Sequence, residues 1–147
     1  MSGQRETAIA ALMALVTGAY AWTTPPARRL QLWADVPPAL RPAVFLFEGG
    51  EETYTWQTGA VPKRIMPVRL FIYTDAKDPT VIGSIQQNEI MDALDAAFAI
   101  SGADLSRGRN TLGGAVYWAK IDGAPFRDPG DLDGDGMLIV PLKLMLP

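Results

Sequence analysis

The spacing of apolar residues divides the chain into two helices and a set of strands. Ile9, Leu12, Met13 and Val16 recur at i, i+3, i+4 and i+7, which predicts a helix over residues 5–20 with one apolar face. Gly18 and the bulky Tyr20–Trp22 stretch end it, and Thr23-Thr24-Pro25-Pro26 forbids continuation. A short extended piece, Leu30–Trp33, follows, and the prolines at 37, 38 and 42 hold the next stretch extended or turned. Ala43–Glu48 and Tyr54–Thr58 then read as two strands joined by the Glu51-Glu52 turn into a hairpin. Lys63–Thr74 predicts a longer strand with Val68, Leu70 and Ile72 on one face and Arg69, Phe71 and Tyr73 on the other. Pro67 lacks an amide donor, so that end of the strand is expected at an edge or unpaired.

Helical spacing returns over residues 80–100, where Ile90, Met91, Leu94, Ala97 and Phe98 form the apolar stripe. Asp78-Pro79 supplies a cap, Ser84 and Gln87 an alternative capping box, and Gly102 a stop. The chain closes with two strands, Gly114–Ile121 and Met137–Met145. The second is the cleanest period-two signal, with Leu138, Val140, Leu142, Leu144 and Leu146 on one face. Trp118 shares a strand face with Val116 and is expected in the core. These elements predict one α/β domain of the α+β type over residues 1–147, and the 48% of hydrophobic residues supply a core for it.

Composition narrows the chemistry. The chain has no histidine and no cysteine, which removes Ser-His triads, thiolate nucleophiles and the usual zinc ligands. Catalysis by Asp, Glu, Lys or Tyr stays open, but the expectation is a protein that is not an enzyme and needs no cofactor. No apolar run approaches the roughly 18 residues of a membrane span. The start Met-Ser-Gly-Gln-Arg-Glu lacks the pattern of a secretory signal, so a soluble, unprocessed chain is expected. The formal charge of −3 is unevenly spread, +2 over residues 1–74 and −5 over residues 75–147. No basic stripe with interleaved aromatics appears, which disfavours sequence-specific nucleic-acid binding.

The acidic residues collect in Asp131-Leu132-Asp133-Gly134-Asp135-Gly136. Alternating aspartates followed by glycine match the first half of a calcium loop. The position that should carry the bidentate glutamate is Leu142, and the flanks read as strand. An acidic hairpin turn explains the same residues, with Asp131, Asp133 and Asp135 as weak metal candidates. Glu48, Glu51 and Glu52 beside Gly49-Gly50 read as a solvated hairpin tip rather than an acid/base pair, and Ser106–Asn110 reads as a flexible loop. Trp22, Trp33 and Trp56 flank irregular segments, as packing anchors or as interface residues.

Several stretches, taken in order, carry a resemblance. They are the amphipathic first helix, Asp35-Val36-Pro37 with Pro42–Glu48, the strand ending Leu70–Tyr73 and the helix over Ile90–Phe98. Thr111-Leu112-Gly113-Gly114-Ala115-Val116-Tyr117, Ile121-Asp122-Gly123 and the closing strand complete the set. Over nearly its whole length the chain resembles the tail terminator (tail-completion) proteins of long-tailed bacteriophages and prophages.

That resemblance implies a mixed, mostly antiparallel sheet flanked by two main helices. It implies a structural virion protein, assembled in the host bacterial cytoplasm, whose copies form a hexameric ring on the finished tail tube. The ring ends polymerisation of the tube protein and offers a joining surface to a head-completion or connector protein. The implied partners are the chain itself, those two proteins and DNA passing through the lumen without specific binding, with no membrane. Glu51, Glu52, Trp56, Arg107, Arg109, Asp128, Asp131, Asp133 and Asp135 are the candidate interface or lumen residues. Neighbouring roles are another head–tail connector or minor tail component. The competitor of a different class is a divalent-metal-dependent binding module or enzyme built on Asp131–Asp135.

Overall fold

A computed structural model describes residues 3–147; Met1 and Ser2, part of the start read for a secretory signal, lie outside the described residues. Two helices lie on one face of a seven-stranded sheet. Helix α1 (Gln4–Ala19) buries Ala8, Ile9, Leu12 and Val16, the face that the spacing predicts. Helix α2 (Gly83–Phe98) buries Ile90, Leu94 and Phe98, with Met91 and Ala97 only half-buried. The strands are β1 (Thr24–Ala27), β2 (Ala43–Phe47), β3 (Thr53–Thr55), β4 (Lys63–Asp75), β5 (Trp118–Ile121), β6 (Phe126–Asp128) and β7 (Asp135–Met145). The main order is β1-β2-β4-β7-β5, with β3 also paired to β4 and β6 to β7. Only β1 and β2 run parallel, so the sheet is mixed and mostly antiparallel and the fold is α+β, as expected.

The long pair β4·β7 is the spine, in register from Ile65 opposite Met145 to Asp75 opposite Asp135. Of its even-numbered side chains, Val68, Leu70, Ile72, Leu138, Val140, Leu142 and Leu144 are at most 1% exposed beneath the helices. Both spine strands contain a proline, and register explains how. The Leu146 amide donates to the Arg64 carbonyl, so even residues of each strand bond across the spine and odd residues point outward. Pro67 falls where β2 has ended, at Arg69, and β3 begins, at Ile65. Pro141 falls in the matching gap between β5 and β6. Neither missing amide removes a ladder bond, so both prolines are tolerated. The expectation of an edge or unpaired end at Pro67 is corrected: that end of β4 is paired to β3 and β7.

Other expectations are corrected. Ala43–Glu48 and the Tyr54 strand do not form a hairpin. β2 pairs with the far half of β4, and only Thr53–Thr55 is strand, pairing with Lys63–Ile65. The extended piece lies at Thr24–Ala27, while Trp33–Asp35 is a 3-10 turn. Helix α2 starts four residues after Pro79, with no side-chain cap. Asp78 bonds the Thr80 amide and hydroxyl in a turn of its own, and Gln87 is buried rather than boxing Ser84. Gly102 opens a further 3-10 turn instead of closing α2. Of Gly114–Ile121 only Trp118–Ile121 is strand, and Trp118 stands half-buried opposite Met145 with Lys120 Nζ 4.5 Å from its ring.

Candidate functional site

The acidic loop is a hairpin connection, since Asp128 closes β6 opposite Met137 in β7. Backbone bonds shape it: the Gly130 amide donates to Asp128 Oδ1, the Gly134 amide to the Gly130 carbonyl, and the Asp135 amide to Asp133 Oδ1. Gly134 has φ +80°, and a Cβ there would lie 2.8 Å from Lys77 Cα, so both the left-handed backbone and the close approach require glycine. The loop also presses on α2, where a Cβ on Gly83 would lie 2.0 Å from the Pro129 carbonyl oxygen.

The aspartates do not converge on a cation. Asp135 turns inward to Arg41, whose Nη1 lies 2.7 Å away and whose side chain is only 3% exposed. The Arg41 guanidinium also donates to the carbonyls of Val36, Trp33 and Thr74, so this buried charge is fully engaged. The Arg41 hydrogen bond, aided by Lys77, holds the Asp135 carboxyl below the usual aspartate range. Lys77 Nζ sits 2.8 Å from the Asp133 carbonyl and 3.0 Å from Asp135 Oδ1. Asp131 is exposed, and no group of three or more acidic side chains that could hold a metal ion occurs among the described residues. The structure thus does not bring the three aspartates together: Asp133 shapes the turn and Asp135 joins an ion-pair network. Asp128, Asp133 and Asp135 line a cleft of about 200 Å³ together with Trp33 and Phe126.

The remaining candidates fall at the opposite end of the spine. The ten residue steps from Asp135 to Met145 separate the two ends by about 33 Å. There Arg5 of α1 donates to both carboxylate oxygens of Glu52 and to the Tyr54 hydroxyl, at 2.7–2.9 Å, which anchors the base of the β3–β4 arm. The Arg5 hydrogen bond lowers the Glu52 carboxyl. Beyond that base Glu51 is exposed, and Trp56 and Val61 are 71% and 76% exposed. On the far side of β7, Arg109 donates to the Tyr117 carbonyl and lies 4.0 Å over the Tyr117 ring. Arg107 pairs with Asp104. Asp104 also accepts from the Thr111 amide, the largest influence lowering its carboxyl, and from the Thr111 hydroxyl. This contact braces Leu112, Gly113 and Gly114, three consecutive residues at φ +50°, +71° and +94°. Two glycines in that run make the turn accessible. Glu48, read as part of a hairpin tip, instead shares Arg28 with Glu6 of α1.

Three contributors were not legible in the chain: Arg41, Lys77 and Gln87. Gln87 is fully buried and its amide donates to the Asp128 carbonyl at 2.7 Å, joining α2 to the acidic hairpin. Only the register that sets Asp75 opposite Asp135 brings Arg41 and Lys77 to the loop, and no local pattern encodes it.

The odd-numbered sheet face divides in two. Residues 27–36 cover one half, packing Ala27, Leu30 and Val36 on Ala43, Phe45 and Tyr73, with the Tyr73 hydroxyl donating to the Gln31 carbonyl. The other half is open, with Phe47 exposed on the part that carries Lys63, Arg69 and Lys120, and Phe126, opposite Ile139, exposed at the border with the acidic cleft. No helix among the described residues is long and apolar enough to cross a membrane. No protein-family model matches this chain, and no curated protein is significantly similar to it.

Proposed function

We propose that the protein is a structural virion component, a tail terminator whose copies form a ring on the tail tube and end its growth. The observation that carries this reading is the open half of the sheet together with the projecting β3–β4 arm. The core is complete on the helix side, yet Phe47, Tyr54, Trp56, Val61 and Phe126 remain at the surface. Exposed aromatic and aliphatic side chains in a folded subunit point to contacts with other chains. The order of sequence elements resembling tail terminators adds the particular role. A non-enzymatic role agrees with the way the carboxylates are used: Glu48, Glu52, Asp104 and Asp135 are each tied to an arginine or a threonine that positions a loop.

In such a ring the Asp128–Asp135 hairpin, with Asp131 and Asp133 exposed at its tip, would repel the DNA backbone if it faced the lumen. A ring with these aspartates on its outer rim would remove that part of the reading. The main test is electron microscopy of tails assembled with and without the protein. Over-long tubes in its absence are expected, and tails of normal length would refute termination.

A further inference from the structure

We propose that copies of this chain associate head to tail, with the open sheet face of one copy seated on the outer face of α2 of the next. The inference rests on the assembly role proposed above and names the surfaces that carry it.

The two surfaces carry opposite charge. On the sheet, Lys63, Arg69 and Lys120 are exposed, and Lys143 is half-buried. Register puts all four on one face: Arg69 and Lys63 lie two and four residues from Pro67 along β4, Pro67 pairs with Lys143, and Lys143 pairs with Lys120. The nearby acid on this face is Asp122, 3.5 Å from Lys143, so the patch stays positive. On α2 the exposed acids are Glu89, Asp92 and Asp95, and residues 83–98 contain no lysine or arginine. Glu89 accepts a long bond from the Tyr20 hydroxyl, and the Arg127 guanidinium reaches this helix at Asn88. Each surface also offers apolar contact, Phe47 on the sheet with Phe126 farther toward the acidic hairpin, and Ile85 on α2 with Ile82 at its N-cap.

The charges exclude the symmetric alternatives. The two patches lie on opposite sides of the sheet. A two-fold contact through either one places it on its own copy, which would set the lysines and Arg69 against each other, or the α2 acids against each other. Sheet on helix is the pairing in which the patches attract. It is heterologous, so the rotation per step decides between a closed ring and an open filament.

The chain has no cysteine, which makes the contact readable by disulfide trapping. Copies carrying Asp92→Cys are mixed with copies carrying Arg69→Cys or Lys120→Cys and oxidised. A mixed dimer is expected in at least one mixture and not from any variant alone. Efficient trapping of one variant with itself would overturn the proposal. In parallel, Lys120→Glu with Lys143→Glu is expected to weaken self-association at least tenfold, measured by sedimentation. Adding Asp92→Lys and Asp95→Lys to the same chain should restore it; unchanged association in the first variant would also overturn the contact. Failure of the contact and failure of the ring reading are separable. Filaments that grow without closing, yet trap at these positions, keep the contact and reject the ring. A closed ring that never traps there keeps the ring and rejects the contact, and a chain that stays monomeric at millimolar concentration rejects the contact.

Discussion

The two faces of one sheet do different work, although the same strands build both. Along β7 every second side chain, from Leu138 to Leu146, is at most 2% exposed under α1 and α2, while Met137 to Met145 on the alternate positions remain half-buried. The helix-covered face is continuous and apolar, so hydrophobic burial there supplies most of the stability. The outer face is held at one end by residues 27–36 and by the Arg41–Asp135 pair, and at the other end it is left to solvent. Stability and association are thus assigned to opposite sides of a single layer. Substitutions on the outer surface can alter contacts with other chains while the fold stays intact.

The sharpest contrast should come from the covered face. Leu142→Ala removes a side chain packed beneath both helices and is expected to cost about 3–4 kcal/mol, read by chemical denaturation. A loss below about 1 kcal/mol would mean that the helix layer packs loosely. Next is the pin at the closed end of the outer face. Arg41→Ala leaves Asp135 to Lys77 alone, removes the donor to three carbonyls, and is expected to cost about 3 kcal/mol.

The same pair gives a pH signature. Because Arg41 depresses the folded carboxyl of Asp135, the unfolded chain binds the proton more readily. The stabilisation is therefore fully present above the unfolded aspartate value near about 4 and is lost as pH falls through the lower folded value. Arg41→Ala should flatten that acid decline in urea melts taken at successive pH values, and an unchanged slope would break the link.

A smaller effect tests the seam between α2 and the acidic hairpin. Gly83→Ala in an open helix would gain about 1 kcal/mol, but the Cβ would lie 2.0 Å from the Pro129 carbonyl oxygen. A loss of about 1–2 kcal/mol is expected, seen as a lower denaturation midpoint. Least of all should be Phe126→Ala on the open face, within about 0.5 kcal/mol of the parent, with weakened self-association as the readout that moves.

Much of this was legible before the fold was known, and the pattern of failures is physical. The buried stripes of α1 and α2 and the alternation of β4 and β7 follow from periods of 3.6 and 2, which any core-facing helix or strand must show. The turn at Asp131–Gly136 was legible from its aspartates and glycines, because turn chemistry is local, while the short strand Phe126–Asp128 that completes the hairpin was not. The misplaced α2 start and the lost Gly102 stop are boundary errors, where several local signals compete. The mispaired Tyr54 strand is of another kind. A short alternating segment looks the same whichever neighbour it joins, and here β3 pairs with the strand that follows it.

By itself the sequence determined the two helices, the long strands, their apolar faces and an acidic turn before the last strand, since each rests on contacts between near neighbours in the chain. Only the tertiary structure decided that Arg41 and Lys77 meet Asp135, that Pro67 and Pro141 fall at gaps beside the spine, and that half of one sheet face stays open. Those depend on strand order and register, which are set by pairing residues as distant in the chain as Ile65 and Met145, and no period along the chain reports them.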